Sequence, residues 1–122
     1  MPTSDFPYID GFVAAVPTAN KQKYIDFSKT AAKIFKKYGA LSLVECWGDD
    51  VPEGKVTSFP MAVKCQEDET VVFSWIAWPD SATRNSGMEK VMNDPEMHSE
   101  TNPMPFDGKR IIFGGFKMIV NE

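Results

Sequence analysis

Histidine is almost missing from this sequence: one residue in 122, His98. Cysteine occurs twice, as Cys46 and Cys65. Two thiols in a chain of this size are not a disulfide framework, and neither belongs to a Cys-x-x-Cys pair. The paired spacing of a zinc site is missing too, because Cys46, Cys65 and His98 are widely separated single residues. No apolar stretch approaches the length that spans a bilayer. Met1–Asp5 carries no basic segment leading into an apolar run, so no secretory leader is expected. Bases are outnumbered, 13 against 17 acids, for a net charge of −4. Such a field repels phosphate backbones, and the nearest thing to a basic stripe is Lys33, Lys36 and Lys37, interrupted by Ile34 and Phe35. There is no Gly-x-Gly-x-x-Gly, no phosphate loop and no serine-centred elbow. These absences predict a cytoplasmic protein without metal, cofactor, nucleic-acid partner or membrane.

What is present is ordinary globular material. Hydrophobic residues make up 43% and charged residues 25%, within the range of folded domains. The length suits one domain over residues 1–122 that buries its own core.

Tyr8–Val16 reads as a strand apolar on both faces, ended by Pro17. Tyr24, Phe27, Ala31, Ile34, Phe35 and Tyr38 recur at three- and four-residue steps, the stripe of an amphipathic helix. Thr18 or Asn20 is the expected cap, and Gly39 stands where a left-handed stop is wanted. Leu41–Trp47 is the second strand, followed by a turn-rich loop over 48–55. Phe59–Cys65 reads as a short extra edge strand because of Pro60. Thr70–Trp78, rich in valine and aromatics, is the third main strand. Asp80 or Ser81 caps a second helix with Ala82, Met88, Val91 and Met92 as its apolar positions, closed by Asp94-Pro95. Pro95 opens a further short helix ending near Asn102. Lys109–Val120 is the last strand, where Gly114-Gly115 predicts a bulge or a close backbone approach.

The order strand, helix, strand, strand, helix, strand predicts an α+β fold: a ferredoxin-like βαββαβ two-layer sandwich. Its sheet should carry both helices on one face. The strands are apolar on the other face as well, which soluble monomers avoid. A homodimer packed sheet against sheet resolves the conflict.

Several stretches resemble the YbaA-like family of bacterial proteins. They are Tyr-Ile-Asp-Gly-Phe-Val at 8–13, Val-Pro-Thr-Ala-Asn-Lys at 16–21 and Gly-Ala-Leu at 39–41. Further along come Val-Glu-Cys-Trp-Gly-Asp-Asp-Val-Pro at 44–52 and Glu-Thr-Val-Val-Phe-Ser-Trp-Ile at 69–76. Met-Asn-Asp-Pro at 92–95 and Pro-Phe-Asp-Gly-Lys-Arg at 105–110 complete the set. The resemblance covers nearly the whole chain. It implies a dimeric α+β barrel, an architecture shared with cofactor-independent monooxygenases, haem-handling proteins and sensor domains. It implies no particular reaction, since a shared fold does not carry function.

In that architecture a ligand cavity lies between helices and sheet. Asp10, Glu45 and Trp47 sit on central strands, with Trp75 or Trp78 beside them. Acids within apolar strands are costly unless paired or used. They read either as anchors or bases in an aromatic pocket, or as partners of Lys109, Arg110 or backbone amides. Arg84 and Asn85 face a pocket mouth or water. His98 is an acid, base or ligand, or simply a solvated residue in a polar stretch. The acidic loop of Asp49, Asp50 and Glu53 reads as a solvated turn, lacking the alternating oxygens of a calcium loop. Cys46, beside Glu45, reads as core packing. Three functions remain open: a small-molecule-binding or sensing homodimer, a cofactor-independent enzyme of monooxygenase or isomerase type, and a structural module. The candidate ligand-binding set is Asp10, Glu45, Trp47, Trp75, Arg84 and His98.

Overall fold

A computed structural model describes residues 7–122; the expectation about a leader concerns Met1–Asp5 and lies outside them. Four strands form one antiparallel sheet: β1 (Tyr8–Pro17), β2 (Ser42–Trp47), β3 (Glu69–Trp78) and β4 (Ile112–Lys117). Their order across the sheet is β2-β3-β1-β4. Helices α1 (Lys21–Lys37) and α3 (Ser81–Met92) cover one face, and a short α2 (Phe59–Ala62) lies between β2 and β3 in sequence. The result is a two-layer α+β arrangement.

Alternation along β1 sorts the core. Ala14 and Val16 point toward α1, where they pack with Tyr24 and Val72. Val13 and Ala15 point to the opposite, outer face. On α1 the buried residues are Tyr24, Ser28, Ala31, Ile34 and Phe35, so the expected stripe holds and a serine falls inside it. Gly39, at φ +110°, ends the helix as foreseen.

The 59–65 segment is not an extra strand: Phe59–Ala62 is helical and 63–64 is a turn. The Ser58 hydroxyl accepts from the Met61 N–H at 3.1 Å and Pro60 occupies the first turn, where a proline's missing N–H is not needed. The segment folds over one end of the outer face and buries Val63 completely against Val13, Ala15 and Val71. At the start of α1 neither expected residue caps with its side chain. Asn20 Nδ2 instead donates to the Pro105 carbonyl at 2.9 Å, and the Thr18 and Thr70 hydroxyls bond each other. At α3 the Asp80 carboxylate accepts from the Thr83 N–H at 2.7 Å, as expected.

The last strand is shorter than its apolar run. Asp107 caps a 3₁₀ turn at Gly108–Arg110, which delays pairing until Ile112. The short helix after Asp94 is likewise a single turn, Pro95–Met97. The β1–β4 register is unbroken through Gly114 and Gly115, so there is no bulge; the close approach comes from the Tyr8 side chain crossing Gly115.

Helix α3 has little amphipathic character. Gly87 and Val91 are its buried residues, while Met92 is 63% exposed. Gly87 is the reason it sits so close: a Cβ there would lie 2.5 Å from the Trp78 ring and 2.6 Å from the Tyr38 carbonyl. Trp78 is fully buried and the carbonyl is backbone, so neither yields easily. Gly87→Ala is therefore expected to lower stability by about 1–2 kcal/mol, overpacking outweighing alanine's better helix propensity. Chemical denaturation of both proteins checks this.

Candidate functional site

Asp10 lies near the start of the central strand and is 2% exposed. Its partner is Arg84 on α3, not Lys109 or Arg110. Arg84 Nη2 donates to Oδ1 at 2.8 Å and Nε to Oδ2 at 3.1 Å, a two-pronged pairing that suits a planar guanidinium. Trp78 Nε1 donates to Oδ2 at 2.8 Å. The guanidinium also lies 5.3 Å from the Tyr8 ring centroid. Both carboxylate oxygens are thus occupied, and the group ties α3 to the sheet. Arg110 instead spans Glu69 and Asp107, at 2.7 and 3.0 Å.

Glu45 has a different surrounding. It sits on edge strand β2, directly opposite Ser74 in the β2–β3 register. Much of the residue is exposed, but its carboxyl turns under α1, where the Tyr24 hydroxyl donates to Oε1 at 2.5 Å. Tyr24 and Ser28, four residues apart, share the buried helix face. Ser28 is 6% exposed and its hydroxyl finds no hydrogen-bond partner among the described residues. Around these polar groups stand rings: Trp47 and Phe106 with centroids 6.5 and 5.7 Å from that of Tyr24, and Phe27 at 6.5 Å. Lys21 Nζ lies 5.5 Å from the Trp47 centroid.

The electrostatics follow. Burial raises the Glu45 carboxyl above its ordinary value of 4.5, opposed by hydrogen bonding from Tyr24 and by the nearby Ser74 and Ser28 hydroxyls. Burial, and then the Glu45 charge, hold the Tyr24 phenol far above the usual range. Among the described residues no Lys, Arg or His forms an ion pair with Glu45.

The sheet divides the remaining candidates. Trp47 joins the Glu45 cluster, but Trp75 projects from the outer face. There, with Phe73, Ile112 and Phe116, it lines an open trough of about 570 Å³. Register places Gly11 opposite Gly114 along its floor. His98 is exposed after the Pro95–Met97 turn and joins neither group. Cys46 is exposed rather than packed in the core, because its strand is the sheet's edge and its side chain faces outward. Among the described residues no cluster of His, Cys, Asp and Glu could hold a metal. No described helix is long and apolar enough to cross a membrane. Ser28 was not foreseen, although a serine inside the periodic stripe of α1 was a readable signal.

Residues 7–108 match the family described as "Protein of unknown function (DUF1428)". The "Uncharacterized protein YbaA" of Escherichia coli K12 is 53% identical over 115 residues, covering 94% of this chain and 98% of the relative. Relatives of the same description from Escherichia coli O157:H7 and Shigella flexneri show the same identity and coverage. The chain belongs to this YbaA-like family.

Arg84→Met leaves Asp10 buried without its charge partner and is expected to cost about 3 kcal/mol, the low end for a broken buried pair because Arg84 is partly exposed. Asp10→Asn, which can still accept from Trp78, should cost less; paired urea melts decide the order.

For Glu45, a raised native pKa means that the folded state holds more protons than the unfolded state between the two values. Its stabilising contribution is full below the unfolded pKa and lost as pH rises through the folded one. Glu45→Gln should therefore gain stability relative to the parent as pH climbs past about 4.3, levelling off above the native value. Denaturation of both proteins across pH reads the difference. Ser28→Ala removes a partnerless hydroxyl and should raise stability by about 1 kcal/mol.

Proposed function

We propose that this chain is a cytoplasmic, homodimeric small-molecule-binding domain, ferredoxin-like in each protomer and closed by its partner into a dimeric α+β barrel. The observation that carries binding is the cluster of Tyr24, Glu45 and Ser28 between α1 and the sheet. It contains a part-buried carboxyl without an ion-pair partner and a buried hydroxyl without a partner. Buried polar groups are normally satisfied, and an unsatisfied hydroxyl among aromatic rings is a group that a ligand's polar end would complete.

The outer sheet face supports the dimer. Phe73, Phe116 and Ile112 are 44, 60 and 45% exposed. No charged side chain lines their trough. An uncharged apolar surface is complementary to itself, and a two-fold axis brings the same residues together from both copies. The glycine floor lets the partner's rings approach closely. A cofactor-independent enzyme is the second reading, favoured by the hydrogen bond from the Tyr24 hydroxyl to a Glu45 carboxyl that burial raises above its ordinary value, the direction a general acid or base requires.

Sedimentation at micromolar concentration is expected to give twice the 13.7 kDa chain mass. Phe116→Glu, which places charge at the seam, is expected to give the chain mass alone. A parent that sediments as a monomer overturns the dimer. For binding, crystals of protein purified without added ligand should show density against Glu45 beneath α1; that space filled by the protein's own side chains would favour a structural module instead.

A further inference from the structure

A strand interior is a poor place for glycine, which loses the most conformational freedom on folding and offers no side chain to pack. Six of the chain's eight glycines are required by their own protomer, either by a left-handed φ or because a Cβ would come closer than 3.0 Å to atoms of the same chain. Gly11 and Gly114 are the other two. Neither has a positive φ. Among the described residues a Cβ at Gly11 would meet only the Phe116 ring, at 3.5 Å, and one at Gly114 would meet the same ring at 3.6 Å. Both are ordinary van der Waals distances, so the protomer's own packing does not ask for glycine at either position. Register nevertheless sets the two side by side on the outer face, in one row with Trp75. Trp75 stands opposite Gly11 across β3 and β1, and Gly11 stands opposite Gly114 across β1 and β4. The floor of the trough is thus a bulky ring beside two missing side chains. Glycines placed this way mark a close approach by another molecule.

We infer that the Gly11–Gly114 notch receives the indole of the partner's Trp75, each copy lending its ring to the notch of the other. This rests on the homodimer proposed above and names the contact that sets its register. The strand order β2-β3-β1-β4 puts the midline of the sheet between β3 and β1, hence between Trp75 and Gly11. A two-fold axis running along the strands at that midline gives the two sheets their fullest overlap. The same axis carries Trp75 of the partner subunit over Gly11, with room toward Gly114. Ring and notch lie in one cross-strand row, so the surface complements itself, as a two-fold interface must. Facing sheets stack about 10 Å apart, and a pair of glycines lets an indole enter that gap without pushing the sheets apart. No charged side chain lines the trough to oppose its burial.

Two substitutions in the full-length protein test the contact, with the dimer dissociation constant read by sedimentation across a dilution series. Trp75→Ala removes the ring and is expected to weaken the dimer at least about thirtyfold, as truncation of a buried interface tryptophan does. Gly11→Val fills the notch with a residue that suits a strand, and is expected to weaken the dimer by a similar factor. Circular dichroism verifies that each variant is folded. Gly11→Ala is the smaller filling should valine disturb the protomer, and it is expected to weaken the dimer less. Mixed in equal amounts, the Trp75→Ala and Gly11→Val proteins should pair with each other more tightly than either pairs with itself. One contact of the mixed dimer is native, and the other sets valine against alanine. Native mass spectrometry separates the mixed dimer from the two like pairs. A dimer that Trp75→Ala or both notch fillings leave as tight as the parent would overturn the contact while leaving the homodimer in place. A mixture that pairs no better than its components would do the same. A parent that is monomeric throughout overturns both.

Discussion

The fold turns on a carboxylate in its middle. Asp10 sits on β1, one of the two strands flanked on both sides, and nothing in a sheet interior can solvate it. A buried charge of this kind persists only with a charged partner and full hydrogen bonding. Arg84 supplies both prongs, and Trp78 supplies the remaining donor. That requirement fixes where α3 lies. The helix has too weak an apolar face to choose its own position, so a short ion pair does what a hydrophobic stripe does for α1. Once α3 is drawn in, the Trp78 ring lies against its backbone, and only glycine at 87 leaves room.

The two helix contacts therefore have different origins. Helix α1 docks by area, through a continuous stripe of buried side chains, an undirected and cumulative force. Helix α3 docks by a directed polar contact reinforced at its start by Asp80 and at its end by Asp94. Asp94 accepts from the Tyr38 hydroxyl at 2.7 Å and from the Glu96 N–H at 2.8 Å. Area-driven packing tolerates substitution one methylene at a time, whereas directed contacts fail when one partner is removed.

This difference also explains what could be read in advance. Period-based reasoning found α1 and the main strands because their apolar spacing determines their burial. It misassigned 59–65, where an apolar content typical of strands hides a serine cap and a proline in a first helical turn, and the decisive contacts are local hydrogen bonds. It placed Asp10 in the core correctly but paired it with the wrong bases. Nothing in the spacing of Asp10 and Arg84, 74 residues apart, states that a helix crosses that point. Trp75 was grouped with Trp47 because a strand apolar on both faces does not say which parity meets the helices. Only the parity of Glu45 and Trp47, two residues apart, kept them together. Ser28 was overlooked because a stripe is recognised by its apolar members, and its one polar member looks like noise.

Asp10 and Glu45 are thus two answers to the same cost. Each is an acid turned toward the helix layer of an apolar sheet. The central one is saturated, and its value is positional. The edge one is half-saturated, with a tyrosine on one oxygen and a serine nearby that bonds to nothing described. An edge strand makes such an arrangement affordable, because β2 is paired on one side only and Glu45 reaches water through its own backbone side. A group left desolvated in the centre would have to be paired or lost; at the edge it can be retained at modest cost. The sheet's geometry keeps its saturated acid inside and its half-saturated one at the rim, where the cost of leaving it so is lowest.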